Sequence, residues 1–291
     1  MTRLQFGLAV APGAGPGADP VGFARRAEEL GFDFVSTSDH PCGTEPSFEV
    51  WTLLTWLAAR TSRIQIATRV LGVPYRSPAL VAKMAESLDR LSGGRFILGL
   101  GGGSADHEFQ AFGLGVPSPR NKVDGMREAV EVVRGLWSTP GFTYRGRIYR
   151  TDAASIAPRP AHRIPIWLGT YGKRALAVTG RLADGWIPSY GYAPPDVVGD
   201  LRARVIVAAR EAGRGPEEIT SVYHVPVRVG AGLRPSAGEV AGTAAEVADH
   251  LQGFVKLGFD ALSLVPSGPD LGEQVEILAR EVVPAVRASS S

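Results

Sequence analysis

The chain has 291 residues, enough for one large domain, and 31 basic against 29 acidic residues leave a formal charge of only +2. That balance, with no dense basic stripe interleaved with aromatics, argues against a nucleic-acid partner. The single cysteine, Cys42, excludes an intramolecular disulfide and argues against a thiolate metal cluster, and no apolar run reaches the roughly 18 residues of a membrane span.

Strand and helix signals alternate along the chain. Leu4–Val10 reads as a first strand; the glycine and proline that follow are unlike a signal peptide, so a reducing cytoplasm is the expected location. Asp19-Pro20 caps a helix with Phe23, Ala24, Ala27 and Leu30 inward, Gly31 closes it, and Phe32–Thr37 is a second strand. Ser47–Arg60 is a helix and Ile64–Val70 a third strand. Ser77-Pro78 opens the next helix, in which Leu80, Val81, Met84, Leu88 and Leu91 recur on one face, and Ser92-Gly93-Gly94 ends it. Arg95–Leu100 is nearly all apolar, as in a strand covered on both faces of a parallel sheet. It runs into Gly101-Gly102-Gly103, a bare backbone that a flat or phosphorylated ligand can approach.

A helix follows over Arg120–Trp137. Phe142–Tyr149 alternates about Arg145-Gly146 like a hairpin. With the proline-bearing stretch after it, it forms an insertion over about residues 139–163, expected in the loops of the carboxyl face and over the site. Next come a strand at Ile164–Gly169, a helix at Lys173–Leu182, a short strand at Asp184–Pro188 and a helix at Pro195–Ala212. Ser221–Val229 is a strand, and Gly230–Gly242 has the Gly/Pro/Ser composition of a mobile lid. Thr243-x-x-Glu246 is a capping box for a helix to Leu257, followed by a strand at Phe259–Val265 and a helix at Gly272–Arg287. Eight strand–helix units in this length predict a (β/α)8 TIM barrel, one domain over residues 1–291. Leu-Gly-Phe-Asp at 30–33 and again at 257–260 joins a helix end to a strand start both times, as a repeated unit would.

In such a barrel the strand ends carry the chemistry. Strand two ends at Asp39-His40, where an imidazole can donate or accept a proton near neutral pH. After the fourth-strand glycines, Asp106 and Glu108 suit the first turn of a helix, where acids complement the dipole; His107 suits it less and reads as a ligand contact. Gly169-Thr170-Tyr171-Gly172-Lys173-Arg174 leads from a strand end into a helix and is the candidate phosphate site. His224 reads as core, and His162 and His250 as surface residues. No HExxH, CxxC, Walker loop or G-x-S-x-G elbow occurs, so no metal site is expected. Gly99-x-Gly101-x-x-Ser104 imitates a dinucleotide fingerprint without its third glycine and after the fourth strand, which disfavours a nicotinamide Rossmann dehydrogenase.

The motifs Ala27-Glu-Glu-Leu-Gly-Phe-Asp33, Ser38-Asp-His40, Pro74-Tyr-Arg-Ser-Pro78, Leu88-Asp-Arg-Leu-Ser-Gly-Gly-Arg95, Gly99-Leu-Gly101 and Ala183-Asp-Gly-Trp186 resemble the bacterial luciferase-like superfamily of flavin- and deazaflavin-dependent barrels. The set is most similar to members that use coenzyme F-420. The resemblance implies hydride transfer between that cofactor and a small organic substrate. It also implies a non-proline cis peptide at a bulge ending strand three, matched by Arg69-Val70, under the central cofactor ring. The strand-four loop, Gly102, Gly103, Ser104 and on to His107, would line the ring and its chain, and Gly169 to Arg174 would take the phosphate. Asp39 and His40 match an active-site pair of the deazaflavin sugar-phosphate dehydrogenases. His40 is the first candidate for proton transfer and Glu108 the second. Two carboxylates of that branch are missing, with Ser104 at one position and Ala11-Pro12-Gly13-Ala14 at the other, so its sugar-phosphate mechanism is not carried over. A homodimer through barrel helices and a separate enzyme that recycles the cofactor are further implications. The alternatives are an FMN-dependent monooxygenase on the same fold and a flavin-binding barrel without turnover.

Overall fold

A computed structural model describes residues 3–289. Eight strands form the barrel: β1 (Gln5–Ala9), β2 (Phe34–Thr37), β3 (Gln65–Thr68), β4 (Phe96–Gly101), β5 (Ile166–Gly169), β6 (Gly185–Trp186), β7 (Thr220–Val229) and β8 (Ala261–Pro266). Each pairs in parallel with the next, and β8 pairs with β1, so the sheet closes. Around it lie α1 (Pro20–Glu29), α2 (Val50–Arg60), α3 (Pro78–Ser92), α4 (Asp106–Ala111), α5 (Pro119–Ser138), α6 (Lys173–Leu182), α7 (Pro195–Glu211), α8 (Ala244–Lys256), α9 (Leu271–Ile277) and α10 (Val283–Ala288). The predicted (β/α)8 barrel is the observed one. Between α9 and α10 the chain makes a π turn at Leu278–Val282, where Pro284 has no N–H to continue the regular ladder.

Three strand starts share one electrostatic device. Asp33 accepts the Phe6 N–H at 2.7 Å, Asp260 that of Ser221 at 2.8 Å and Asp184 that of Ile166 at 2.8 Å. Each carboxylate stands at the entry of one strand and satisfies the neighbouring strand's first free donor. This gives the repeated Leu-Gly-Phe-Asp its physical meaning. Caps behave similarly: Thr243 and Glu246 form the predicted box, and Asp19 accepts from Gly22. Ser77 differs, since its hydroxyl makes no cap bond and Pro78 alone shapes the first turn of α3.

The barrel interior is filled from below by Phe34, Ala67, Ile97, Trp167, Ile187, Val222 and Ala261, with Phe34 edge-on to Trp167 at 5.6 Å. Higher up, the β3–β4 pairing breaks step. Ala67 faces Ile97, yet Leu71 faces Leu100, so β3 has one residue too many and bulges at Thr68–Val70. The strand therefore ends at Thr68 rather than Val70. Across the bulge the Thr68 hydroxyl replaces the missing ladder, donating to the Gly99 carbonyl and accepting the Gly99 N–H, both at 2.7 Å. The Arg69–Val70 peptide is cis. Val70 turns inward onto Gly99, Gly101 and Gly169, where added Cβ atoms would lie 3.3, 2.5 and 3.3 Å from its methyls. These glycines, read from sequence as clearance for a ligand, are in the first place a socket for Val70.

Three expectations change. The hairpin exists (Phe142–Arg145 with Arg150–Ala154) and enters between α5 and the fifth barrel strand as expected, but it lies along the outside of α5 and not over the site. The buried Glu128 of α5 accepts the N–H groups of Arg147, Ile148 and Tyr149 at 2.8–3.0 Å and fixes it there. The Gly230–Gly242 stretch ends in a short strand, Val240–Gly242, paired with β7. On α3, Leu80 and Leu91 are exposed, and the buried face follows Val81, Ala82, Ala85 and Leu88 instead. Leu91 joins exposed Phe48 and Trp56 around an apolar groove between α2 and α3.

The Val70 socket makes a stability prediction. Gly99→Ala places Cβ 2.0 Å from the Thr68 carbonyl and Gly101→Ala 2.5 Å from Val70 Cγ2, so each destabilises the fold by about 1–3 kcal/mol. Gly102→Ala, with its nearest neighbour at 3.4 Å, changes stability by less than about 0.5 kcal/mol. In a Val70→Ala background the cost of Gly101→Ala falls and that of Gly99→Ala persists, as urea unfolding of the two double mutants will show.

Candidate active site

At the carboxyl end of the barrel is a cavity of about 360 Å³. Val70 and Gly101 to Ala105 supply one wall, Met126 and Phe109 a second, and Gly169 to Tyr171, Ile187, Ser189 and Tyr192 the third. Ser38, Asp39 and His40 form the rim after β2.

His40 is held from one side. Its Nδ1 lies 2.8 Å from Glu108 Oε1, and the other Glu108 oxygen accepts the Tyr75 hydroxyl at 2.5 Å. Glu108 is buried on α4, whereas the His40 side chain is 55% exposed, so the carboxylate orients the ring while Nε2 is left for the cavity. Burial and then the Glu108 hydrogen bond push the Tyr75 phenol far up, so it acts only as a donor. Tyr75 packs on Phe109 at 4.6 Å, which fixes the strand-four loop against the segment after the bulge.

Asp39 is engaged otherwise. Arg76 grips it with both guanidinium ends at 2.7 and 3.1 Å, and Gly72 N–H adds a bond at 3.0 Å. Burial lifts its carboxyl above the usual range, opposed by Arg76 and Gly72. Its role in this structure is to tie β2 to the segment leaving the bulge.

Arg69, within the bulge, lines the same cavity. Burial lowers its guanidinium to about 10, which still leaves it charged at neutral pH. Its Nε is buried without a partner. Nearby His224 is bonded to the Ser263 hydroxyl at 3.1 Å, and burial with the Arg69 charge holds its imidazole well below the ordinary value, so it is neutral. The Tyr171 hydroxyl accepts the Ser189 N–H at 3.1 Å, and burial raises its phenol.

The structure brings together His40, Asp39, Arg69, Val70, Gly102, Gly103, Ser104, Gly169, Thr170 and Tyr171 around one cavity. Glu108 lies behind His40 and off the cavity wall. The Thr170 hydroxyl is turned into α6, bonded to Thr179 at 2.7 Å. His107 is exposed on α4 and does not line the cavity, because the helix turns it outward while Glu108 and Phe109 turn in. Gly172, Lys173 and Arg174 are exposed at the uncapped start of α6, outside the cavity, and Arg174 is bonded to Asp124 at 2.7 Å. Tyr75, Arg76 and Lys122 were not singled out from sequence. Pro74-Tyr-Arg-Ser-Pro78 was the available signal for the first two; Lys122 sits among surface charges of a helix face, indistinguishable from them. Among the described residues no cluster of His, Cys, Asp and Glu could hold a metal ion, and no helix is long and apolar enough to cross a membrane.

Comparison with known proteins agrees with this architecture. The luciferase-like monooxygenase family matches residues 2–234. An F-420-dependent glucose-6-phosphate dehydrogenase of Nakamurella multipartita is 33% identical over 232 residues, 77% of this chain and 67% of that protein. The protein of the same name from Kineococcus radiotolerans is 39% identical over 176 residues, 58% of this chain and 51% of that one. The chain thus matches about half to two thirds of the length of these curated relatives. In structure, an F-420-dependent secondary alcohol dehydrogenase in complex with an F-420–acetone adduct superposes with a TM-score of 0.88 over 98% of this chain and 99% of that one, at 22% identity. The chain belongs to the luciferase-like monooxygenase family.

The Asp39–Arg76 pair is nearly fully buried, with side-chain exposures of 1% and 14%. Arg76→Met strands the carboxylate and lowers stability by about 3–5 kcal/mol. Asp39→Asn in that background recovers part of the loss, because the stranded group is then neutral. Urea unfolding of the two single variants and the double variant measures the coupling; strict additivity would refute it.

Proposed function

We propose that this luciferase-like barrel is a coenzyme F-420-dependent oxidoreductase, moving a hydride between the deazaflavin and a small organic substrate. The observation that carries it is His40, held by a buried carboxylate at the rim of the cavity that the Val70 bulge also lines. Val70 provides an apolar surface for a ring to rest on, and the glycines beneath it leave that surface flat. The strand-four loop from Gly102 to Ser104 gives a backbone wall beside the ring. At the start of α6, the free N–H groups and exposed Lys173 suit a phosphate. When bound, the cofactor supplies the hydride chemistry. His40 Nε2 gives or takes the proton at the substrate oxygen or carbon, with Glu108 fixing the ring that does so and Tyr75 fixing Glu108. Met126, Phe109 and Tyr192 keep water from the reacting atoms.

The names of the curated relatives support F-420 over FMN. Their glucose-6-phosphate activity is not carried over, because the cavity wall has Ser104, and no carboxylate, at the matching position. Reduced FMN and oxygen form the second reading, since the same α6 start accepts either phosphate. The enzyme works in the cytoplasm with a separate enzyme that recycles its cofactor, and it pairs with a second copy through the apolar groove between α2 and α3, where Trp56 and Leu91 are exposed.

Titrating the apoprotein with F-420 and with FMN while following tryptophan fluorescence tests the cofactor. F-420 binds at micromolar concentration or tighter and FMN at least tenfold more weakly; the opposite order moves the protein to the monooxygenase reading.

His40→Gln lowers single-turnover oxidation of reduced F-420 by a ketone and enone panel about 10²–10⁴-fold, with F-420 affinity within twofold of wild type. Glu108→Gln gives a smaller loss of the same kind. Unchanged turnover in both variants removes His40 from the reaction.

A further inference from the structure

Arg69 is a charge without a counter-ion. Among the described residues its guanidinium makes no ion pair and no hydrogen bond, and its Nε is fully enclosed. Other arginines at similar depth are satisfied. Arg95 donates to the Ala58, Thr61, Ile64 and Ser92 carbonyls, Arg134 reaches Asp184 at 2.7 Å, and Arg76 holds Asp39. What exposure Arg69 retains is toward the cavity.

The surroundings offer nothing to neutralise it. Asp39, the carboxylate on the cavity wall, is taken by Arg76 and Gly72. His224 is neutral, and the Tyr171 oxygen already accepts from Ser189. Lys122, the other cation of the wall, is bonded to Asp106 and adds no negative charge to the cavity. A buried, unpaired cation costs stability, so a fold retains it where a ligand completes it. The guanidinium presents planar paired donors, which match the two oxygens of a carboxylate. Apolar neighbours such as Val70, Ile187 and Met126 keep the contact dry and strengthen it.

We infer that Arg69 is the carboxylate receptor of the substrate site, so that the organic substrate is a small carboxylic acid anchored on this guanidinium. The inference rests on reading this cavity as the substrate site. The guanidinium lies near Tyr171 and His224, so anchoring one end of the substrate there, beside the Val70 surface and not on it, fixes which of its carbons faces His40. The uncapped start of α6 leaves the cofactor's phosphate a separate place outside the cavity.

The test uses matched probes on the whole apoprotein: benzoate against benzamide and acetate against acetamide, read by thermal shift and by calorimetry. Wild type binds at least one carboxylate about tenfold to hundredfold more tightly than its amide. Arg69→Met, shown folded by circular dichroism, loses that preference, and Arg69→Lys keeps a weaker one. Equal binding of acid and amide in wild type, or a preference that survives in Arg69→Met, overturns the inference. F-420 titrated into protein saturated with the preferred carboxylate identifies the source of the anion. Simultaneous binding, with affinity for F-420 within twofold, assigns Arg69 to the substrate. Competition, together with a tenfold loss of F-420 affinity in Arg69→Met, assigns it to the cofactor and overturns the inference. A carboxylate preference with no F-420 binding upholds the anion site and refutes the cofactor reading instead.

Discussion

Val70 can stand in the mouth of the barrel only because Gly99, Gly101 and Gly169 have no side chains where it lies. Much of the site is arranged around that fact. The extra residue in β3 forces the chain off its ladder, the Thr68 hydroxyl takes over both bonds to Gly99, and the strand resumes one step later at Leu71. Everything that borders the cavity from this side follows from the shift. Arg69 is swung inward, Gly72 reaches Asp39, and Tyr75 and Arg76 arrive beside the end of β2.

The charges around the cavity divide into those that hold the frame and those left for a ligand. Arg76 is held between Glu49 and the buried Asp39, and Glu108 is spent on Tyr75 and His40. These bonds cross between β2, the segment after β3 and α4, so they fix the relative position of three loops that carry the chemistry. The imidazole Nε2 and the Arg69 guanidinium are what remains. One is oriented and exchangeable, the other buried and permanently charged, which is a division suited to moving a proton at one end of a substrate and holding the other.

Most of the frame was legible in the sequence, because strand and helix periodicities, caps and αβ turns are local. The capping box at Thr243 is fixed by residues three positions apart, whereas the strand-entry bonds of Asp33 and Asp260 reach Phe6 and Ser221 across 27 and 39 residues. The site was legible only in part. His40 and Arg69-Val70 could be named from strand-end position and from resemblance, but the partners that give them meaning are distant: Glu108 is 68 residues from His40, and Thr68 is 31 from Gly99. Glu108 looked like an ordinary acid in a first helical turn, since nothing local distinguishes an acid facing solvent from one facing a histidine on another loop. His107 and Glu108 are adjacent, and a helix sends them to opposite environments; the first turn was legible in the sequence, but which of its faces packs inward was not. The hairpin was found but misplaced, because its alternation does not reveal that Glu128 pins it to the outside of α5.

The two halves of the cavity differ in character. The glycine socket, the bulge and the α6 start all lie within residues 2–234, the part that the family model matches. The wall that a substrate would touch has Ser104 where the sugar-phosphate branch has an acid, and an arginine enters from the bulge without a partner. A lone guanidinium beside a carboxylate that Arg76 already holds gives this wall a preference for an anion. A substrate that is itself anionic is the economical completion of such a wall, since it neutralises Arg69 without any further change in the barrel. Side chains on the cavity wall can thus set the class of substrate while the barrel backbone stays the same.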